Sequence, residues 1–484
     1  MNSSESENRE PHRIAVVGGG LSGLVSCYRL LELSRGSTQP PQIDLFEQSD
    51  RLGGVFGTVP HDGYLIETGA DMFITNNPGA IRLVERLGLT NRLIETNARY
   101  RRSLILKNGK PLPTPVGFDL MAPRNLLAYV RSPLISIPGK LRALSEYFIP
   151  GRPQADESLA SFAIRRFGRE AFERMIQPMI GGIYTADPEK LSLRSTLPRF
   201  LEMEEQYGSL LKAIRKEKQN PLKGADNEAS GARYSLFLSF DQGMSVLQDS
   251  LIDAIKGHVT LQTGVGIQNI ERKQNRYLVT RCNGTTSEYD GVILALPTHA
   301  AGQILSQFDP DLTAALQKIE YASAAVAVFG MPLSNSQHPL DCFGLVVPAV
   351  ERRQILAVSC TSRKFNGRAP EGHIQLRVFM GGAMQQELLE KSDEELIAIA
   401  RQELADIFGI QGPEDFSRVV RWNRAMPQYH VGHQEKVHFI EERFSTYPAL
   451  EMAGNGLHGV GIPDVVRTAE QAAERCWQQF NRSA

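Results

Sequence analysis

Arg13-Ile14-Ala15-Val16-Val17-Gly18-Gly19-Gly20-Leu21-Ser22-Gly23 is the stretch on which the reading of this chain turns. Its first five residues form a short apolar, β-branched run, the pattern of a buried strand. Behind the glycines, Leu21, Leu24, Val25, Tyr28 and Leu31 recur at helical spacing. Strand, Gly-rich turn and helix in that order are the context that a dinucleotide fingerprint requires. Gly18 permits the tight turn, Gly20 lets the backbone approach a pyrophosphate, and Gly23 lets helix and strand pack closely. Free amides at the helix start face the phosphates, so Gly19, Leu21 and Ser22 join the contact set. A second strand, Ile43-Asp44-Leu45-Phe46, ends on Glu47, with Gln48 beside it. An acid there accepts hydrogen bonds from ribose hydroxyls and repels a 2′-phosphate, which disfavours NADP.

Around this unit the chain is ordinary in composition. Its 484 residues allow two or three domains. The 53 basic and 54 acidic residues nearly cancel, which argues against a protein built mainly to bind nucleic acid. Five scattered cysteines (Cys27, Cys282, Cys342, Cys360 and Cys476) show no CxxC spacing. A disulfide scaffold is therefore not expected, and a reducing, cytoplasmic compartment is. His299, His430, His433 and His458 lack ligand spacing, so no metal is expected. Met1 to Pro11 is polar, without a secretory h-region, and no run reaches the roughly 20 apolar residues of a membrane span.

Just beyond Glu47 the chain reads Glu47-x-x-x-Arg51-x-Gly53-Gly54. Here it resembles the flavoprotein superfamily of monoamine oxidases, phytoene desaturases and protoporphyrinogen oxidases. The resemblance implies FAD, with Arg51, Gly53 and Gly54 along its pyrophosphate. It further implies that Gly69-Ala70-Asp71-Met72 passes near the isoalloxazine and that Val265 touches the cofactor through its backbone. Trp422 is expected to border the flavin or to lie in the core. The segment Ala453 to Asp464 resembles the closing motif of the superfamily, with Val460, Gly461 and Ile462 at a helix start beside the pyrimidine end.

Gly181-Gly182-Ile183-Tyr184-Thr185-Ala186-Asp187-Pro188 to Leu193, Glu204 to Leu210, Ser239-Phe240-Asp241-Gln242-Gly243-Met244 and Phe343 to Pro348 are similar to motifs of the protoporphyrinogen and coproporphyrinogen III oxidases. This likeness implies a six-electron oxidation of a porphyrinogen in haem biosynthesis, with O₂ as acceptor and H₂O₂ released. No side chain is assigned as catalyst, because the flavin takes the hydride and the pyrroles release their own protons. Phe343 is expected to stack on or pack against a pyrrole ring, or to lie in ordinary core. Arg101, Arg102 and Lys107 are candidate propionate partners, with a solvated charge face as the alternative. Family members often carry Gly where Ala186 stands, which speaks against a left-handed backbone there. Animal mitochondrial members carry Arg near the position of Asp71, and an acid there is expected to repel a propionate. An amine oxidase or carotenoid desaturase, a sugar-nucleotide mutase, and a flavin-binding regulator without turnover stay open as alternatives.

The expected architecture is α/β. A discontinuous Rossmann-like FAD-binding domain is read at 11–95, 233–298 and 421–482. An α+β substrate domain is read at 96–112 and 299–420, and a helical insert at 113–232. Asn108-Gly109 and Asn283-Gly284 read as hairpin turns, and strands at Val259–Thr263, Val265–Ile270, Tyr277–Cys282 and Ser287–Tyr289 as one meander. In the insert the basic faces are read as solvated, with no continuous apolar face. Peripheral membrane contact and a haem-pathway enzyme partner are left open.

Overall fold

The computed structural model describes residues 10–152, 156–219 and 236–481. The first strand, Arg13–Val17, is the centre of a five-stranded sheet in which every neighbour is parallel. Its order across the sheet is Val259–Gln262, Gln42–Phe46, Arg13–Val17, Gly291–Leu294, Leu450–Met452. Both faces of such a sheet must be covered, because parallel strands need crossovers that lie on them. Ile14, Val16, Ile43 and Leu45 meet the helices Leu21–Leu33, Ser245–Ile255 and Ile462–Asn481 on one face. Ala15, Val17, Val292 and Leu294 meet the opposite layer. Small residues on the last helix, Ala469, Ala472 and Ala473, bring it close to the first, where Ser26 Oγ donates to the Ala469 carbonyl. The first and last of these helices thus meet.

A seven-stranded sheet lies beside this unit, in the order Phe416–Pro427, Tyr321–Pro332, His373–Gly381, Ala357–Cys360, Gly344–Val346, Ser103–Lys107, Lys110–Pro113. Its one parallel pair joins Gly344–Val346 to Ser103–Lys107. One face packs on the helix Asp393–Phe408, which opens with a Ser392/Glu395 capping box. The other face carries Val326, Val328, Arg377 and Phe379 toward the segment Tyr64 to Asp71. The expected hairpin turns form: Asn108 and Gly109 both take positive φ, and Gly284 does so in the second.

Three boundaries differ from the sequence reading. Val259–Gln262 leaves the meander and pairs parallel to Gln42–Phe46, while the meander is Ile267–Lys273, Arg276–Arg281 and Thr286–Tyr289. Alternation of apolar and polar residues cannot tell these partners apart, since pairing is a long-range choice. The helices Thr298–Ile304 and Pro310–Gln317 turn Ala301, Ile304, Leu312 and Leu316 onto the parallel sheet, so the change of layer comes after position 317, not at 298. Position 421 falls inside the strand Phe416–Pro427, which pairs along its length with Tyr321–Pro332.

The insert is helical, with Leu126–Arg131, Ile137–Leu144, Leu159–Phe167, Gln177–Tyr184, Pro198–Tyr207 and Leu210–Gln219 around one apolar cluster. Contrary to the expectation of solvated faces, Leu126, Leu127, Val130, Ile137, Leu141 and Phe148 are exposed there. Ile137, Leu141 and Phe148 fall on one side, opposite buried Ala143. The left-handed residue of the 181–193 stretch is Thr185, which closes the helix Gln177–Tyr184, and Ala186 is not left-handed. Among the described residues no helix is long and apolar enough to cross a membrane.

Candidate functional site

The Gly-rich turn leaves the central strand at its carboxyl end, the usual place for a ligand in an open parallel sheet. Gly18 stands at φ +107°, and a Cβ there would lie 2.3 Å from the Ala295 carbonyl oxygen. A Cβ at Gly23 would lie 1.9 Å from the Gly18 oxygen, so the helix reaches the turn only because side chains are missing. Gly20 is different. A Cβ there would meet nothing nearer than the Gly54 Cα at 4.0 Å. This is a cradle with room in it, bordered by the backbone of the second glycine pair.

The second pair is fixed to the first. The Gly53 amide donates to the Gly19 carbonyl at 2.8 Å. Arg51 holds this loop, donating from Nη2 to the Gly54 carbonyl and from Nη1 to those of Leu52 and Phe56, while its side chain stays exposed. Glu47 accepts from the Gly19 amide at 2.7 Å and from Ser49, and its carbonyl accepts from the Val265 amide at 2.9 Å. Gln48 is exposed beside it. From the far end of the chain Gly454 comes within 3.6 Å of Ser22 Oγ, measured to the Cβ it lacks. The Gly461 carbonyl starts the last helix by accepting from the Asp464 and Val465 amides, with Val460 packed on the insert cluster and Ile462 buried. Gly20, Gly54 and, through Ser22, Gly454 therefore come together from three distant parts of the sequence, bordering the open groove at Gly20.

The segment Gly69-Ala70-Asp71-Met72 follows the groove, and here the structure adds residues that the sequence did not single out. Arg377 Nη2 donates to the Gly69 carbonyl at 2.6 Å, and its guanidinium lies 3.8 Å from the Asp71 carboxylate. Lys364 Nζ lies 3.5 Å from the other Asp71 oxygen. Burial pushes the Asp71 carboxyl up, but Lys364 and then Arg377 outweigh it and hold it below the usual range. The charge expected to repel a propionate is therefore neutralised, and the three groups together carry one surplus positive charge. Ser239 Oγ donates to the Asp71 carbonyl and accepts from buried Arg368, which accounts for part of the Ser239–Met244 motif. Trp422 Nε1 donates to the Thr68 carbonyl at 2.7 Å while its ring packs among Val326, Val328 and Phe379. Register places Ser359 beside Arg377, and Ser359 Oγ and Arg377 Nε are buried with no partner among the described residues.

Phe343 is half-buried and belongs to none of the five apolar clusters. Its amide donates to the Arg102 carbonyl. The Arg102 side chain pairs with Asp341, Arg101 donates to Thr96 Oγ1 at 3.0 Å, and Lys107 Nζ donates to the Pro133 carbonyl at 2.7 Å. Both arginines are exposed.

Residues 21–477 match the family of flavin-containing amine oxidoreductases. The chain belongs to that family. As a flavin-containing amine oxidoreductase it is 31% identical over 461 residues to the coproporphyrinogen III oxidase of Bacillus subtilis, covering 95% of this chain and 96% of that one. It is 32% identical over 468 residues to the coproporphyrinogen III oxidase of Staphylococcus aureus, covering 95% and 98%. A solved structure from Exiguobacterium sp. 255-15 superposes with a TM-score of 0.84 at 27% identity, covering 97% of this chain and 99% of that one. The flavin oxidoreductase thus carries the α/β fold expected of it, and its open cradle at Gly20 and Gly54 suits a flavin's phosphate-bearing tail.

Lys364 and Arg377 escape a sequence reading because nothing local marks them. Lys364 ends a short helix, Thr361–Lys364, and Arg377 sits in the mostly apolar strand His373–Gly381, which also carries His373 and Gln375. A buried arginine in such a run is the one usable signal.

Proposed function

We propose that the chain is an FAD-dependent porphyrinogen oxidase of haem biosynthesis that acts on coproporphyrinogen III. The observation that carries this reading is end-to-end similarity to coproporphyrinogen III oxidases, since 95% of the chain takes part in the match. In this reading FAD supplies hydride acceptance and reoxidation by O₂, with release of H₂O₂. The chain supplies the rest. Gly18 to Gly23 and Gly53-Gly54 receive the pyrophosphate, Glu47 the ribose, and Val460 to Ile462 the pyrimidine end. Asp71, Lys364 and Arg377 fix the segment beside the ring and leave positive charge there for a carboxylate. Phe343 offers an aromatic face, with Arg101 and Arg102 near its backbone as further carboxylate partners. Coproporphyrinogen III carries four propionates against two on protoporphyrinogen IX, so a surplus of cations favours the first substrate.

Aerobic incubation of the flavin-loaded protein with each porphyrinogen, followed by porphyrin fluorescence and H₂O₂, tests this. Turnover of coproporphyrinogen III with at least about a tenfold higher kcat/KM is expected, equivalent to roughly 1.4 kcal/mol. Silence with both substrates removes the reading, and faster protoporphyrinogen turnover reverses the choice of substrate. Lys364→Met should raise KM for coproporphyrinogen by about tenfold to a hundredfold and leave flavin binding intact, as expected for loss of one charge-assisted contact of roughly 1.5–3 kcal/mol. An unchanged KM would take Lys364 out of the substrate site.

A further inference from the structure

The loop Gly454 to Gly461 is held by Thr468 at Gly454 and by Arg467 at the His458 carbonyl, both from the last helix, and from the other side by an aromatic pair. Tyr429 Oη donates to the Asn455 carbonyl and accepts from the Gly459 amide at 2.8 Å. The imidazole of His433 stacks on the Tyr429 ring, with centroids 4.1 Å apart, and its Nε2 lies 3.0 Å from the Leu457 carbonyl. Burial holds the His433 imidazole down to about 4, so at neutral pH it is uncharged and Nε2–H is the donor to that carbonyl. Three residues of a five-residue span are thereby fixed by one stacked pair. Tyr429 is 2% exposed and His433 3% exposed, so neither meets bulk water.

The pair is fixed in turn by the helical insert. The Ser192 amide donates to the Tyr429 carbonyl at 2.7 Å, and the Val431 amide donates to the Lys190 carbonyl at 2.9 Å. Asp156 accepts from the Gly432 amide at 3.2 Å and from Ser192 Oγ at 2.8 Å. Lys190 and Ser192 lie in the stretch Gly181 to Leu193, whose resemblance to porphyrinogen oxidases the groove leaves unexplained. The insert thus holds the backbone of 429–432 by hydrogen bonds, and the Tyr429 and His433 side chains that this segment carries or adjoins hold the loop Gly454 to Gly461.

We infer that Tyr429 and His433 are positioning residues through which the helical insert sets the loop Gly454 to Gly461 against the flavin. The inference rests on the assignment of that loop to the flavin. A buried donor and acceptor deprived of their partner leave a loop free to rearrange, and a loop that moves loses its amides as flavin partners. Tyr429→Phe should therefore weaken FAD binding by about tenfold or more and raise the fluorescence of the flavin that remains bound. His433→Phe keeps the stack, removes the Leu457 contact, and should weaken binding by a smaller factor.

Titration of apoprotein with FAD, read by flavin fluorescence and visible spectrum, decides the matter. Tyr289→Phe is the comparison, because it deletes another buried tyrosine hydroxyl, one bonded to Asp44 in the parallel sheet. It should lower the unfolding temperature without altering the spectrum of bound flavin. If Tyr429→Phe binds FAD with the affinity and spectrum of the unaltered protein, the inference is overturned. The same holds if Tyr289→Phe changes both as much. Failure of the unaltered protein to bind FAD would instead remove the flavin assignment on which the inference stands.

Discussion

Gly20→Val is expected to give a folded, colourless protein. Gly20 has φ −72° and ψ −175°, an extended conformation that any L residue adopts, so the substitution strains no backbone. The new Cβ meets no atom of the chain nearer than 4.0 Å, so the valine side chain enters the groove rather than the core. There it occupies the space through which a pyrophosphate must approach the amides at the helix start. Loss of those contacts should remove flavin binding at micromolar concentration, with an unfolding profile close to that of the unaltered apoprotein. Gly23→Ala makes the contrast. Its methyl group would stand 1.9 Å from the Gly18 oxygen, so the helix must leave the sheet and the fold itself is damaged. Visible absorbance after desalting, together with circular dichroism, separates the two outcomes. A yellow Gly20→Val protein with unchanged affinity would show that the groove does not receive the phosphates.

The second large effect lies far from the groove. Arg166 and Glu146 are both 0% exposed, and Arg166 Nε donates to Glu146 Oε1 at 2.8 Å. Glu146 also accepts from Ser209 Oγ and from the Leu210 and Leu211 amides, so it closes the start of the helix Leu210–Gln219. Arg166 reaches Glu204 and the carbonyls of Ile149 and Gly208 as well. Arg166→Met strands a carboxylate in the insert core. Removal of one partner of a buried pair costs about 3–5 kcal/mol. The insert should therefore unfold at lower denaturant and be cleaved by protease before the parallel sheet. Pairing the change with Glu146→Gln should recover part of the loss, since a neutral amide still accepts at the helix start. Denaturant titration within about 1 kcal/mol of the unaltered protein would contradict this account of the insert.

The strand, Gly-rich turn and helix at the start of the chain were legible because their determinants are short-range. A strand pattern, three glycine positions and Glu47 lie within a few dozen residues, and each has a steric or hydrogen-bonding reason that needs no distant partner. The same holds for the Asn108-Gly109 turn. Val259–Gln262 was misplaced because a four-residue strand of alternating apolar and polar residues carries no record of which edge it joins.

Asp71 shows the division most sharply. The sequence places an acid beside the expected flavin ring and by itself implies repulsion of a carboxylate. Only the folded chain brings Lys364, 293 positions away, and Arg377 onto that acid and reverses the local charge. Tyr429 and His433 became legible in the same way, as an aromatic pair whose hydrogen bonds exist only once insert and closing loop have met. Sequence by itself determined the fold class and the glycine turn, because chain stiffness and glycine sterics act between neighbours. Tertiary structure decided the charge around Asp71 and the clamp on the closing loop, because Coulomb forces and buried hydrogen bonds depend on distance in space, not on distance along the chain.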